Sequence, residues 1–284
     1  MKVGIFSKRD LMDFGESFKE IFQWLRSRDC KVVVEESVVH SFELEGVVSA
    51  SLEEIPAMVD VIIVFGGDGT ILSVARAIRG CKAKILGVNL GSLGFLTEVT
   101  LDELYPVLEK VLEGDCNIDR RFLLRTEIHF GDETAQTHHA LNDAVINKGA
   151  LARIMSIDAF VDERLVANFL SDGLIISTPT GSTAYSLSAG GPVVYPTIDS
   201  LVMTPICPHT LTNRPLVVPG ESTIRVVVKT AEDAMLTIDG QIGIKLNAGD
   251  EIFCTRSDYR VELVQAGSHD FFQILREKLK WGER

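Results

Sequence analysis

The sequence predicts an α/β amino-terminal domain with a parallel sheet, then a mostly β, sandwich-like domain and a final helix. Strand-like and helix-like segments alternate up to residue 120, whereas short strands separated by Gly, Pro, Asn and Asp dominate afterwards. A helical pattern returns at the end of the chain. Alternation of strands and helices is typical of a parallel sheet, and closely spaced strands are typical of antiparallel sheets.

In the first half, apolar runs predict strands at residues 3–7, 32–35, 61–65 and 85–89. Helical spacing of apolar residues marks three helices, with faces at Phe14, Phe18, Ile21, Phe22 and Leu25, at Ile71, Val74, Ala75 and Ile78, and at Leu101, Leu104, Leu108, Val111 and Leu112. The last two of these helices are expected to end near Gly80 and before Gly114. This order predicts a Rossmann-like sheet with helices on both faces.

The second half predicts strands at residues 174–177, 223–228, 235–238 and 259–264. We therefore divide the chain into an α/β domain at residues 1–120 and a β-rich domain at residues 121–268. Residues 269–284 are expected to form a helix that packs on the first domain.

Composition excludes several classes of protein. A net charge of −12 argues against nucleic acid or an anionic membrane as the main partner, and no apolar run reaches the length of a membrane helix. The five cysteines are widely spaced and form no CxxC pair. Buried reduced thiols, no zinc site and a cytoplasmic location are expected.

The most informative segment runs from residue 61 to 72, where an apolar strand enters the sequence GGDGT and then a helix. A glycine turn before a helix can aim backbone N–H groups at phosphate oxygens, which predicts phosphate binding by Gly66, Gly67, Gly69 and Thr70. A carboxylate repels phosphate, so Asp68 suits a proton acceptor for an attacking hydroxyl or a metal ligand. The alternative is a tight turn in which Asp68 caps the helix.

Two further segments carry polar side chains in apolar surroundings. Residues 171–192 are rich in hydroxyls and glycines, which suits recognition of ribose and amide groups, although a polar loop with Ser and Thr turns is the alternative. Asn142 and Asp143 interrupt an apolar strand and could contact an adenine edge and a ribose diol, or form a turn or bulge. Asp239-Gly240 is typical of a type I′ hairpin turn.

Together these segments resemble the NAD kinase family of the bacterial type. The resemblance rests on GGDGT at 66–70, Asn142-Asp143 and TPTGSTAY at 178–185, with NLGSLGFL at 89–96 and PHTL at 208–211, and it covers essentially the whole chain. Lipid kinases carry a similar glycine loop, so a lipid kinase of the diacylglycerol-kinase type is the alternative. A non-catalytic dinucleotide sensor is a third possibility.

The resemblance implies transfer of a phosphoryl group from ATP or polyphosphate to the adenosine 2′-hydroxyl of NAD, which gives NADP. It also implies Mg²⁺ or another divalent cation, with no metal ligand assigned, and a homodimer or homotetramer. No nucleic acid or membrane partner is implied. Where many bacterial relatives carry arginine, this chain has Leu170, which leaves its preference between NAD and NADH open.

Residue by residue, the resemblance makes Asp68 the proton acceptor for the hydroxyl. It places Gly69 and Phe95 close to the dinucleotide, Asn142 and Asp143 at its nucleoside portions, and Arg153 and Asp172 near the nicotinamide. The other implied substrate-binding residues are Thr180, Thr183, Ala184, Tyr185, Ser186, Leu187, Ser188 and Gln241.

Overall fold

The computed structural model describes residues 1–7, 14–42, 44, 46–91, 93–131, 135–149, 153–230, 233–265 and 270–281. The chain forms two compact units. Unit 1 comprises Met1–Arg120 and Val261–Arg284, and unit 2 comprises Arg121–Arg260. The predicted domains also divide at residue 120, but they assign residues 261–268 to the second domain, whereas residues 261–265 belong to unit 1 and residues 266–268 lie outside the described residues. Residues 269 and 282–284 of the expected terminal helix lie outside the described residues.

The strands are β1 (Lys2–Ser7), β2 (Lys31–Glu35), β3 (Val48–Ala50), β4 (Val61–Phe65), β5 (Lys84–Asn89), β6 (Val99–Thr100), β7 (Asn117–His129), β8 (Gln136–Ala140), β9 (Asp143–Asn147), β10 (Met155–Val161), β11 (Arg164–Ser171), β12 (Gly173–Ser177), β13 (Ser200–Ile206), β14 (Leu216–Pro219), β15 (Ile224–Thr230), β16 (Ala234–Ile238), β17 (Ile242–Leu246) and β18 (Glu251–Gln265).

The helices are α1 (Gly15–Ser27), α2 (Glu36–Phe42), α3 (Ile55–Met58), α4 (Asp68–Ile78), α5 (Leu104–Glu113), α6 (Tyr185–Ser188) and α7 (Phe271–Leu279), with a 3-10 turn at Gly181–Thr183. Among the described residues, no helix combines the length and apolar character needed to cross a bilayer.

Unit 1 is built on a parallel sheet with the order β3-β2-β1-β4-β5. The strand β6 and the end of β18 also pair with β5 in parallel. All five residues of the central strand β4 are buried, as its apolar sequence predicts. The parallel α/β sheet predicted for the first half is therefore confirmed.

Both faces of this sheet are covered. Ile63 and Phe65 of β4 share a buried cluster with α1 and α5. On the opposite face, Ile62 lies beside Ile55 of α3, where Gly4 leaves room for both side chains. Successive strand residues point to opposite faces, so one strand packs against two helical layers.

Unit 2 consists of two antiparallel sheets. One contains β11-β10-β15-β18, with β7 paired to β18 and β8 paired to β7, and the other has the order β14-β13-β12-β9-β16-β17. A buried cluster takes side chains from both, including Ile157 and Val226 from the first sheet and Leu174 and Leu236 from the second. The sandwich-like β domain is therefore confirmed.

The cysteines differ in their surroundings. Cys30 and Cys254 are buried, whereas Cys207 is exposed and has a positive φ of 44°. The expectation that the thiols are buried is therefore wrong at Cys207, which follows the buried strand β13 but already belongs to a surface turn.

The terminal helix α7 begins with a capping box. The Asp270 carboxylate accepts the N–H of Gln273 at 2.7 Å, and the Gln273 side chain accepts the N–H of Asp270 at 2.8 Å. We expect Asp270→Ala to lower the free energy of unfolding by about 1 kcal/mol, because the Gln273 N–H at the start of the helix loses its acceptor. Urea denaturation measures this difference.

The matched control is Asp102→Ala, which removes an exposed carboxylate next to α5. We expect it to change the free energy of unfolding by no more than about 0.5 kcal/mol. Equal stability of the two variants would show that the capping box contributes nothing.

Candidate active site

The glycine loop joins β4 to α4 in a turn that leaves no room for a side chain at residue 66. Gly66 has a φ of 151°, and a Cβ at this position would overlap the side chain of Thr70. Its N–H donates to the Val88 carbonyl at 3.0 Å, and the Thr70 N–H donates to the Gly67 carbonyl at 2.9 Å. The turn therefore starts α4 at Asp68, with Gly67 and Gly69 exposed and Thr70 buried.

The carboxylate of Asp68 is held by three donors from the segment after β5. Oδ2 accepts the N–H of Phe95 at 2.9 Å. Oδ1 accepts the N–H of Leu96 at 3.0 Å and the hydroxyl of Thr97 at 3.3 Å. Helix α4 is instead preceded by Gly67, with no side-chain cap. The alternative interpretation of Asp68 as a helix cap is therefore wrong.

Gly94 allows this segment to approach the carboxylate. A Cβ on Gly94 would overlap Asp68 Oδ1 and Thr97 Oγ1. Its N–H donates to the Thr97 carbonyl at 3.2 Å, which closes a turn around the carboxylate. Only glycine therefore fits at position 94, the glycine of the sequence LGFL, without steric overlap. Ser92 of the same motif lies outside the described residues.

In unit 2, the Asp239 carboxylate fixes the turn that carries Asn142. Oδ2 accepts the N–H of Leu141 at 3.1 Å, and Oδ1 accepts the N–H groups of Asn142 and Asp143 at 2.8 and 3.3 Å. Leu141 and Asn142 therefore form a turn between β8 and β9. Asn142 thus lies in a turn, the alternative that the sequence left open for this pair, whereas Asp143 begins β9.

Asp239 itself lies in the hairpin between β16 and β17. Asp239 and Gly240 have φ values of 51° and 62°, and the Gln241 N–H donates to the Ile238 carbonyl at 3.0 Å. Two positive φ values are the mark of the predicted type I′ turn. The hairpin thus has a structural role and also supplies the carboxylate that holds Asn142.

The hydroxyl-rich loop packs on the same turn. The Thr178 N–H donates to the Asn142 carbonyl at 2.9 Å, and the Thr178 hydroxyl donates to the Leu141 carbonyl at 2.6 Å. A Cβ on Gly181 would overlap the backbone of Asn142. Three segments that are distant in sequence therefore converge at Asn142.

Thr180 in this loop accepts a hydrogen bond from a buried arginine. Arg121 is only 7% exposed, and its Nη1 lies 3.0 Å from Thr180 Oγ1. Arg121 is therefore a buried residue of β7 and not a surface charge. The guanidinium fixes the side chain of Thr180 within unit 2.

Asp143 lies next to Asp239, and both carboxyl groups are buried, with 4% and 7% of their residue surfaces exposed. Burial, and secondly the charge of Asp239, raise the pKa of Asp143 to about 7. The three N–H donors around Asp239 stabilise a negative charge there. Near neutral pH, Asp143 can therefore either donate or accept a hydrogen bond.

The other predicted residues occupy different places in unit 2. Asp172 pairs with Lys148 at 3.7 Å, and Arg153 is exposed ahead of β10. Strands β9 and β12 pair with Ser177 opposite Asp143 and Gly173 opposite Asn147. Asp143 therefore lies at one end of this strand pair, and Asp172 and Lys148 lie at the opposite end. With a rise of about 3.3 Å per residue along a strand, the two ends are about 16 Å apart.

The predicted loop residues 183–188 are not equally accessible. Ser186 is buried and shares a hydrogen bond of 2.8 Å with Thr204, so its hydroxyl has a structural partner. Tyr185, Ser188 and Gln241 are exposed, and Thr183, Ala184 and Leu187 are partly exposed.

Sequence reasoning missed three residues that shape these sites. Thr97 and Gly94 lie within or beside the motif at 89–96, but nothing marked them as partners of Asp68. Asp239 was recognised only as a turn residue. In the described part of the chain, no group of three or more His, Cys, Asp or Glu side chains is arranged to hold a metal ion.

The glycine loop with its fixed carboxylate in unit 1 and, separately, the polar cluster on the β sandwich of unit 2 are features typical of nucleotide-dependent phosphotransferases. Comparison with known proteins gives the family. Residues 3–116 match the ATP-NAD kinase N-terminal domain, and residues 141–266 match the ATP-NAD kinase C-terminal domain. The chain belongs to the ATP-NAD kinase family.

Curated relatives are similar in sequence to this chain over nearly their full length. The NAD kinase of Geotalea daltonii is 48% identical over 285 residues, which cover 100% of this chain and 99% of the relative. The NAD kinase of Geobacter metallireducens is 52% identical over 267 residues, or 93% of each chain. The family match gives no support to the lipid-kinase alternative.

Solved structures share the fold. Yeast NADH kinase complexed with NADH has a TM-score of 0.93 at 28% identity, covering 100% of this chain and 89% of that chain. An NAD kinase from Archaeoglobus fulgidus in complex with ATP has a TM-score of 0.78 at 26% identity, covering 99% of both chains.

The raised pKa of Asp143 predicts a pH-dependent stability. Between its ordinary value of 3.8 and about 7, the native carboxyl keeps a proton that the unfolded chain has released. The contribution of Asp143 to the free energy of unfolding therefore falls as the pH rises from about 4 to about 7, and it is constant above. Asp143→Asn has no such carboxyl, so its free energy of unfolding should not fall in this way. Between pH 4 and pH 8, the free energy of unfolding of the variant should therefore rise by about 2–4 kcal/mol relative to that of wild type.

Urea denaturation at several pH values measures this difference. Asp258→Asn, which removes an exposed carboxylate from the same unit, is the control and should follow the wild type throughout. A difference between Asp143→Asn and wild type that does not change with pH would contradict the account.

Proposed function

We propose that this chain transfers the terminal phosphoryl group of ATP to the 2′-hydroxyl of the adenosine ribose of NAD, which gives NADP. The observation that supports this reaction most strongly is the fixed carboxylate of Asp68, held by donors from three consecutive residues. A sugar hydroxyl loses its proton reluctantly, so a positioned acceptor accelerates its attack on phosphorus.

The donor site is proposed at the glycine loop. The exposed backbone of Gly67 and Gly69 stands at the amino-terminal end of an eleven-residue helix, a place that favours phosphate oxygens. Support for ATP as the donor comes from the family description and from the ATP complex of the Archaeoglobus enzyme. Polyphosphate is the alternative donor.

The dinucleotide is proposed to extend along β9 and β12 of unit 2. Asn142 and Asp143 at one end of these strands suit the nucleoside portions, and Asp172 with Arg153 suits the nicotinamide end. The separation of about 16 Å between Asp143 and the Lys148–Asp172 pair supports a long ligand and not a mononucleotide. The NADH complex of the yeast enzyme supports the same substrate class.

The choice between NAD and NADH is proposed to depend little on residue 170. Leu170 is an exposed apolar side chain on β11, and it carries no charge that could discriminate the oxidised nicotinamide ring from the reduced ring.

A divalent cation, Mg²⁺ in the first instance, is proposed to arrive with the donor. Phosphate oxygens are hard ligands that Mg²⁺ prefers, and the ion neutralises charge on the transferred group.

A cytoplasmic location is supported by the five free cysteines. A homodimer or homotetramer is supported by exposed apolar side chains at sheet edges, namely Leu165, Val166, Leu216 and Val217.

We expect Asp68→Asn to lower kcat for NADP formation at least a hundredfold while leaving NAD affinity largely intact. The amide cannot accept the proton of the hydroxyl, and general-base assistance is typically worth 10²–10⁴-fold. A coupled assay measures NADP formation, and titration calorimetry measures NAD binding.

Asp115→Asn is the control, because Asp115 is exposed after α5 and takes no part in the proposed site. It should keep wild-type turnover. Wild-type turnover in Asp68→Asn would reject Asp68 as the base, and failure of the wild-type protein to form NADP would reject the function itself.

A further inference from the structure

Thr97 and Asn89 form a chain of hydrogen bonds that ends on the carboxylate of Asp68. Thr97 is fully buried and Asn89 is 6% exposed. The Gly91 N–H lies 2.6 Å from Asn89 Oδ1, Asn89 Nδ2 lies 3.3 Å from Thr97 Oγ1, and Thr97 Oγ1 lies 3.3 Å from Asp68 Oδ1. The proposed reaction assigns no role to Asn89 and treats Thr97 only as one of the three donors to Asp68.

The direction of these bonds follows from the chemistry of the groups. A backbone N–H can only donate, so Gly91 fixes the oxygen of the Asn89 amide and turns its NH₂ group towards Thr97. The Thr97 hydroxyl therefore accepts from Asn89 and keeps its single hydrogen for a second partner. That partner is Asp68, because an ionised carboxylate can only accept.

The two oxygens of Asp68 are therefore not equivalent. Oδ1 accepts from both Leu96 and Thr97, whereas among the described residues Oδ2 accepts only from Phe95. An ionised carboxylate has about two lone-pair positions on each oxygen. Both positions on Oδ1 are thus filled, and one on Oδ2 remains for a further hydrogen.

We propose that Thr97, oriented by Asn89, is a positioning residue that fills Oδ1 of Asp68 and so makes Oδ2 the oxygen that takes the substrate proton. The substrate O–H bond breaks as its oxygen bonds to phosphorus, and Oδ2 gains the proton. The bond between phosphorus and the donor's leaving oxygen breaks, and the leaving nucleoside diphosphate keeps that electron pair. This inference rests on the proposed kinase function and adds which oxygen acts and what orients it.

The direct test is Thr97→Val, which removes the hydroxyl and nearly conserves the shape. The carboxylate then loses one of its fixed partners, so we expect kcat to fall about tenfold. The KM for NAD should stay within about a factor of two, because Thr97 is fully buried and cannot touch the substrate. Thr97→Ser, which keeps a hydroxyl, should return kcat to within about twofold of wild type.

The matched control is Thr126→Val. Thr126 is also fully buried, but it lies in unit 2, where its hydroxyl contacts Cys254. This variant loses the same atom from the protein interior without touching the Asp68 network. It should keep wild-type kcat, which separates the effect on Asp68 from a general effect of a buried Thr-to-Val change.

A second variant tests the orientation step. Asn89→Leu removes the amide that directs the Thr97 hydrogen, so kcat should fall to an extent similar to that in Thr97→Val. The kcat of the double variant, with both Thr97→Val and Asn89→Leu, should be no lower than that of the slower single variant, because both changes act through one hydroxyl. If Thr97→Val does not fold, Asn89→Leu and Thr97→Ser decide the question.

Three results would overturn the inference: an unchanged kcat in the folded Thr97→Val protein, a raised KM with unchanged kcat, or losses that multiply in the double variant. A wild-type protein that forms no NADP would instead overturn the proposed function. The two failures are therefore distinguishable in one set of assays.

Discussion

The proposed chemistry of this protein depends on one constraint, the fixation of the Asp68 carboxylate by the segment that follows β5. Two backbone N–H groups and one hydroxyl hold both of its oxygens. Orientation of a base before the substrate arrives removes a rotational cost from the reaction. The glycine at 94 matters for this reason, because a side chain there would overlap Asp68 and Thr97, and a side chain at 66 would overlap Thr70 in the first turn of α4.

A second constraint acts within unit 2, where a buried carboxylate organises a turn. Asp239 satisfies three backbone N–H groups that would otherwise lack partners in the protein interior. Burial in the first place, and secondly this negative charge, raise the pKa of Asp143, its neighbour. The carboxylate that shapes the turn therefore also contributes to whether Asp143 donates or accepts a hydrogen bond.

Much of the fold could be predicted from the sequence, because its signals are local. Five apolar residues specify β4, and the spacing of Phe18, Ile21 and Leu25 specifies the buried face of α1. The glycine loop was recognisable because its residues are contiguous. The hydrogen bonds that complete the geometry of the sites are not local in sequence. Asp68 accepts from residues 27 to 29 positions away in the chain, and Asp239 accepts from residues 96 to 98 positions away. No periodicity encodes such pairs, which is why Thr97 was overlooked and why the sequence did not decide between a binding role and a turn at Asn142.

A structure of the protein with NAD bound tests the central claim most directly. The account predicts that the adenosine 2′-oxygen lies about 2.6–3.2 Å from Oδ2 of Asp68, the reach of a hydrogen bond to a general base. A complex in which that hydroxyl faces bulk solvent, well beyond this distance from either carboxylate oxygen, would contradict it.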